Sequence, residues 1–130
     1  MTHNEILTAL NAVFADPAWT SENITTVPAS YTGNIRGNKE TVRVNILQMS
    51  SDLFYNGDRI KGKIVCNIFV PVTLGENRAT QIADILDTLF KKKTISGIQT
   101  TNSLIKQTGI DKHKKSLYVV DYEVDFSTIN

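Results

Sequence analysis

From Ile60 to Val70 the chain keeps a strict two-residue rhythm. Ile60, Gly62, Ile64, Cys66, Ile68 and Val70 alternate with Lys61, Lys63, Val65, Asn67 and Phe69. In a β-strand successive side chains point to opposite faces, so this run puts one apolar face against a core. Two more stretches carry the same period. Val42, Val44 and Ile46 oppose Thr41, Arg43 and Asn45, and Tyr118, Val120, Tyr122, Val124 and Phe126 oppose Leu117, Val119, Asp121, Glu123 and Asp125. Clean alternation suits antiparallel strands with one wet face, whereas parallel strands covered on both faces read as continuous apolar runs.

An apolar sheet face needs a cover, and helical periods supply it. Thr2 and Glu5 have capping-box spacing, and Ile6, Leu7, Leu10, Val13 and Phe14 follow at helical intervals until Asp16-Pro17 ends the helix. Trp19, just past the break, is placed to pack back on the helix end. A second helix after Gly75 carries Ala79, Ile82, Ala83, Ile85, Leu86, Leu89 and Phe90 on a broad stripe and ends at Lys91-Lys92-Lys93. A short edge strand is expected at Ile24 to Val27, and further strands over 96–107 and 116–126. Asn56-Gly57 signals a hairpin. A two-residue turn there would set Val44 opposite Phe69 and Ile46 opposite Asn67, mixing the two faces, so a bulge or a longer loop is expected. The fold class is therefore α+β: a mostly antiparallel sheet of about four to five strands with two helices packed on one face. At 130 residues the chain is read as a single domain, residues 1–130.

Few chemistries are suggested. The net charge of +1 creates no field that demands nucleic acid or a membrane surface. The amino-terminal segment lacks the basic and apolar regions of a secretion signal, and the longest apolar run, Ile68 to Val72, is far below a membrane span. These features fit a soluble protein made in a cytoplasm. Cys66 is the sole cysteine and sits in an apolar strand, so it reads as a core thiol. Strand, Gly75 and helix could suggest a phosphate loop, but "LGENRATQ" lacks the second glycine and the lysine of such loops, and Glu76 would repel an anion. His3 and His113 lack partners at metal-ligand spacing, and no serine elbow occurs. The clusters Lys91 to Lys93 and Lys112 to Lys115 have no interleaved aromatics, which disfavours direct nucleic-acid binding. Neither a cofactor nor a metal is expected, and a structural or interaction role fits better than an enzyme.

The stretch "GKIVCNIFVPV", a short glycine loop and the helix "RATQIADILDTLFKK" lie between an N-terminal helix with a strand pair and a closing pair of strands. This order resembles the tail terminator (tail completion) proteins of long-tailed phages. The similarity spans Glu5 to Phe126 and is most specific from Gly62 to Phe90. It implies a non-enzymatic virion protein at the head-proximal end of the tail, assembled in the host cytoplasm. Such a protein forms a hexameric ring with copies of itself on the tail tube protein, stops polymerisation and meets the head connector or stopper protein. DNA passes through its lumen without specific binding, and no membrane is involved. The lysine run after the second helix and the polar strand from Ser96 to Gln107 depart from the family pattern. They leave open another neck or minor tail protein of similar fold, and a small cellular ligand-binding or adaptor domain is the reading from a different class.

Two sets of candidate interface or lumen residues follow. Ala29 to Glu40 is rich in glycine and asparagine and poor in apolar surface, so it is expected to be an arm that orders on a neighbour with Tyr31 and Ile35 as anchors. A plain surface loop is the alternative. Asp121, Glu123 and Asp125 share a strand face about 7 Å apart. Repeated around a ring they would form an acidic band along the DNA path, where lysines would instead hold phosphates. The competing reading is an outer wet face partnered by Lys61, Lys63 or Lys106.

Overall fold

The computed structural model describes residues 2–33, 35, 39–54, 57–112 and 114–128, with only the backbone described over 48–54 and 57–59. Helix α1 spans His3–Ala12 and is continued by a 3-10 turn over Val13–Ala15. Its predicted cap is present: the Glu5 amide donates to Thr2 Oγ1 at 3.1 Å, and the Thr2 amide donates to Glu5 Oε1 at 3.0 Å. These reciprocal bonds hold the Glu5 carboxyl below its ordinary range. Asp16 ends this segment and caps a one-turn helix, α2 (Pro17–Thr20), which the sequence reading did not anticipate. Trp19 in α2 meets the Phe14 ring edge-on at 5.5 Å, the expected return contact, and its indole donates to Thr26 Oγ1 at 2.9 Å.

The strands are β1 (Thr25–Pro28), β2 (Thr41–Phe54), β3 (Gly57–Pro71), β4 (Thr94–Ile95), β5 (Ile98–Ile110) and β6 (Leu117–Thr128), with α3 (Gly75–Phe90) between β3 and β4. They form one sheet in the order β1-β2-β3-β6-β5-β4. The class is α+β as expected, but the described sheet has six strands rather than four to five, and it is mixed because β1 runs parallel to β2. The strand missed was β4. Ser96 and Gly97, at φ 48° and 85°, turn its two residues back onto Ile98 and Gln99. A two-residue strand cannot display a period, so no pattern could reveal it.

The expected irregularity lies inside β2. Phe54 pairs with Gly57, and a register shift between Gln48 and Ser50 then brings Val44 opposite Cys66 and Ile46 opposite Ile64. One inserted residue returns all apolar side chains to the same face. Tyr55 and Asn56 of the predicted turn lie outside the described residues.

The inward faces of β2, β3 and β6 join Ile6 and Leu10 of α1 and Ala79, Ile82, Ala83, Leu86 and Phe90 of α3 in one core. Cys66 is fully buried there, and burial pushes its thiol up to about 12, so it is an apolar filler rather than a nucleophile at neutral pH. Tyr122 crosses the same layer. Its hydroxyl donates to Asp87 Oδ1 of α3 at 2.8 Å, and burial first, then that carboxylate, push the phenol well above its ordinary range. Thr100, fully buried, closes the far end of α3 by donating to the Phe90 carbonyl and accepting from the Lys93 amide at 2.8 Å. At the opposite end Arg78 grips Glu40 through Nε–Oε2 and through Nη2–Oε1 at 3.0 Å, and reaches Glu22 at 3.4 Å. The fork fits the carboxylate in two places at once, which ties α3 to the start of β2.

Gly62 sits where its two neighbouring strands, β2 and β6, leave no room for a side chain. A Cβ there would lie 2.1 Å from the Leu47 carbonyl oxygen and 2.5 Å from Phe126 Cζ. The Phe126 ring could turn, but the backbone oxygen of the neighbouring strand cannot yield without breaking the β2–β3 ladder. Gly62→Ala is expected to lower unfolding free energy by about 2 kcal/mol or more, in the range for forced overpacking. Urea denaturation followed by circular dichroism measures this, and a loss below about 0.5 kcal/mol would contradict the close approach.

Candidate interaction face of the sheet

The face of the sheet turned away from the helices carries the candidate residues, and the strand pairings place them in rows. Arg43, Asn67, Asp121 and Lys106 form one row across β2, β3, β6 and β5, and Asn45, Val65, Glu123 and Leu104 form the next. Asp121, Glu123 and Asp125 therefore share a face as expected, on an interior strand of the sheet. Asp121 accepts from Asn67 Nδ2 at 2.8 Å. Glu123 lies between two ammonium groups, Lys106 Nζ at 3.1 Å and Lys63 Nζ at 3.4 Å. The Lys106 contact first, with a smaller contribution from Lys63, holds the Glu123 carboxyl below its ordinary range. Asp125 is exposed beside Lys61, Lys63 and Thr101. Of the three carboxylates, Glu123 is thus met by lysines from both neighbouring strands, two of the three that the outer-wet-face reading named.

Tyr31 and Ile35 are not brought to this stripe. Tyr31 is exposed, with its ring folded over Gly33, and its amide donates to the Pro28 carbonyl at 3.1 Å. Ile35 is half-buried against the end of the sheet, and its carbonyl accepts from Lys114 Nζ. Of the predicted arm, Asn34 and Arg36 to Asn38 lie outside the described residues. Ile35 helps line a cleft with Phe69 and Leu117. Leu117 and Val119 were expected on the wet face, yet both are buried. The sheet is therefore covered on both sides at this end, which period-two reading cannot anticipate because both faces are then apolar.

The Gly75 loop turns the chain. Gly75 adopts φ 56°, the Leu74 amide donates to the Pro71 carbonyl at 2.9 Å, and Glu76 at the helix entrance accepts from Gln107 Nε2 at 3.1 Å. His3 is exposed at the start of α1, while His113 lies outside the described residues. Among the described residues no three histidine, cysteine or acidic side chains gather as a metal site, and no helix is long and apolar enough to cross a membrane.

Among the described residues the sheet also has a pair of open edges. Strand β1 covers β2 only at Thr41 to Val44, so among the described residues Asn45 to Phe54 has no partner on that side. Strand β4 covers β5 only at Ile98 and Gln99, which among the described residues leaves Thr101 to Ile110 without a strand partner on that side. Leu104 and Ile110 beside the second edge are 52% and 56% exposed, and Leu47 beside the first is 40% exposed. Proteins usually blunt such edges with charge or proline. Here Asp52 is the one charged residue on the first open stretch and Lys106 the one on the second, and Lys106 is drawn sideways onto Glu123. Register shifts near Thr100 and Gln107 leave Ser103 to Gln107 as the regular part of the β5 edge.

Removing the acid between the two lysines gives a pH signature. Because the folded carboxyl is held below its unfolded value, its stabilisation is present above the ordinary carboxylate range near about 4.3 and is lost as pH falls through the lower folded value. Glu123→Gln should cost about 0.2–1 kcal/mol at pH 7, since both lysines are partly exposed, and should reduce the loss of stability below about pH 4. Thermal unfolding from neutral to acidic pH reads this, and parallel wild-type and variant profiles would contradict it.

No protein-family model and no curated protein matches the chain. Among the solved structures that resemble it, a protein identified only by a serial designation aligns with a TM-score of 0.69. The alignment covers 100% of this chain and 97% of the other at 15% identity, so the likeness concerns the fold alone.

Proposed function

We propose that the protein is a tail terminator of a long-tailed phage: a virion protein that assembles as a ring, hexameric in the family it resembles, on the last ring of the tail tube. In this role it ends tube polymerisation and offers its other side to the head connector. Two observations support the reading. The stretch carrying the resemblance, Gly62 to Phe90, folds as a strand, a glycine turn and a packed helix, in the order that the family pattern implies. The observation that carries the assembly half is the pair of open, weakly guarded edges on opposite sides of one sheet. Different edges can join head-to-tail between identical copies, and such contacts close into a ring when the rotation between copies divides a full turn. The acidic stripe takes a secondary place in this reading, because Glu123 already has two lysine partners. The DNA path is assigned to the ring as a whole rather than to these three carboxylates.

Adding the purified chain to polymerising tube protein tests the role directly. Tubes are expected to stop short with the protein at one end, as seen by negative-stain microscopy. Unchanged tube lengths at excess protein overturn the termination reading. Leu104→Lys, which places a charge at an exposed edge position, is expected to leave the monomer folded and to abolish rings in mass photometry. Rings formed by that variant as readily as by wild type would show that the β5 edge is not the contact.

A further inference from the structure

One cation in the structure stands apart. Arg43 is partly buried, and its Nε is shut off from solvent without a hydrogen-bond partner among the described residues. Its guanidinium lies against the Phe69 ring, 5.7 Å from Cζ to the ring centre. Buried polar atoms are rarely left unpaired, because the lost hydration is not returned. Arg43 also separates two adjoining clefts at the end of the outer sheet face, of ≈ 380 Å³ and ≈ 320 Å³, which share Phe69 and Asp111 as well. The larger has an apolar wall of Ile35, Phe69 and Leu117, with Lys114 at its side. The smaller adds Val119, Lys112 and Asp121.

We infer that this double cleft binds a carboxylate carried on an apolar stem, with Arg43 as its recognising residue. The guanidinium fork matches a carboxylate in two parallel bonds, and a pocket floor of aromatic and aliphatic carbon takes the stem. Charge balance selects the anion. Among the described residues Arg43, Lys112 and Lys114 face Asp111 and Asp121 around the two clefts, leaving a surplus of one positive charge. One monoanionic carboxylate neutralises it, while a phosphate dianion would overshoot beside two aspartates. The carboxylate can come from a free small acid or from an acidic side chain of a second copy of this chain. The site stands whether or not the protein ends phage tails.

The test uses the full chain and 3-phenylpropionate as probe, with 3-phenylpropanamide and inorganic phosphate as controls. The acid is expected to shift the Arg43 Nε–Hε resonance and the amides of Phe69 and Leu117, and the amide probe to shift none of them. Arg43→Gln, and Arg43→Lys, which keeps the charge but loses the fork, are expected to weaken binding at least about tenfold with unchanged spectra elsewhere. Sedimentation over a range of protein concentrations distinguishes the sources. Association that both variants weaken and phenylpropionate competes away assigns the carboxylate to a second copy, and binding of the acid by a chain that stays monomeric assigns it to a free ligand. Equal binding of acid and amide, tighter binding of phosphate, binding that survives both substitutions, or an Arg43 resonance that neither probe nor protein concentration moves overturns the inference. None of these outcomes bears on tube length, so failure here is separable from failure of the terminator reading.

Discussion

The fold depends on the burial of one helix stripe on two adjacent strands. Ala79, Ile82, Ala83, Leu86 and Phe90 of α3 are fully buried, and the inward residues of β3 and β6 form the matching surface. Full burial of each large side chain contributes about 1.5–3 kcal/mol, so this contact outweighs any single polar bond in the molecule. The remaining features serve its alignment. The register shift in β2 keeps Val44 and Ile46 on the same surface, and Gly62 leaves room for the ring of its β6 neighbour Phe126. The polar clamps sit where α3 begins and ends, Arg78 on Glu40 and Thr100 on the Phe90 carbonyl, so they set the helix position while apolar burial supplies most of the stabilisation.

The outer face follows a different logic. It is not a second core, yet it is not uniformly wet. At one end Leu117 and Val119 are covered and Arg43 lies over Phe69, while in the middle Glu123 is balanced by lysines from both neighbouring strands. Cross-strand charge pairs of this kind add little stability in water. Their consequence is to hold Lys106 sideways, leaving the β5 edge with exposed Leu104 and Ile110 and little to discourage pairing. A monomer that stayed single would be expected to guard such an edge, and this is the physical argument behind the assembling role we propose.

Much of this architecture was legible from local pattern. The Thr2–Glu5 cap, the break at Asp16-Pro17, the return of Trp19, the stripe of α3 and the inward faces of β3 and β6 are all set by neighbours a few residues apart, which is the distance a period reports. The need for a bulge also followed, because Val44 and Ile46 could not otherwise face the core. Its place near Gln48 did not, since any inserted residue between the turn and Ile46 repairs the alternation equally well. Strand β4 and helix α2 were too short to show a period, and the burial of Leu117 and Val119 is a property of the assembled sheet that alternation along one strand does not report.

The candidate site divides along the same line. Period two placed Asp121, Glu123 and Asp125 on one face, because side-chain alternation is a property of the strand itself. That Glu123 meets both Lys63 and Lys106, that Arg78 clasps Glu40, and that Arg43 Nε has no hydrogen-bond partner among the described residues depend on long-range packing. By itself, then, the sequence determined the longer elements, their apolar faces and their end signals, since these arise from contacts within a few residues. Only the tertiary structure decided the strand order, the partners of the charges and the two open edges. Those follow from long-range packing, where many side chains of similar chemistry could have met and the shared core selected one arrangement.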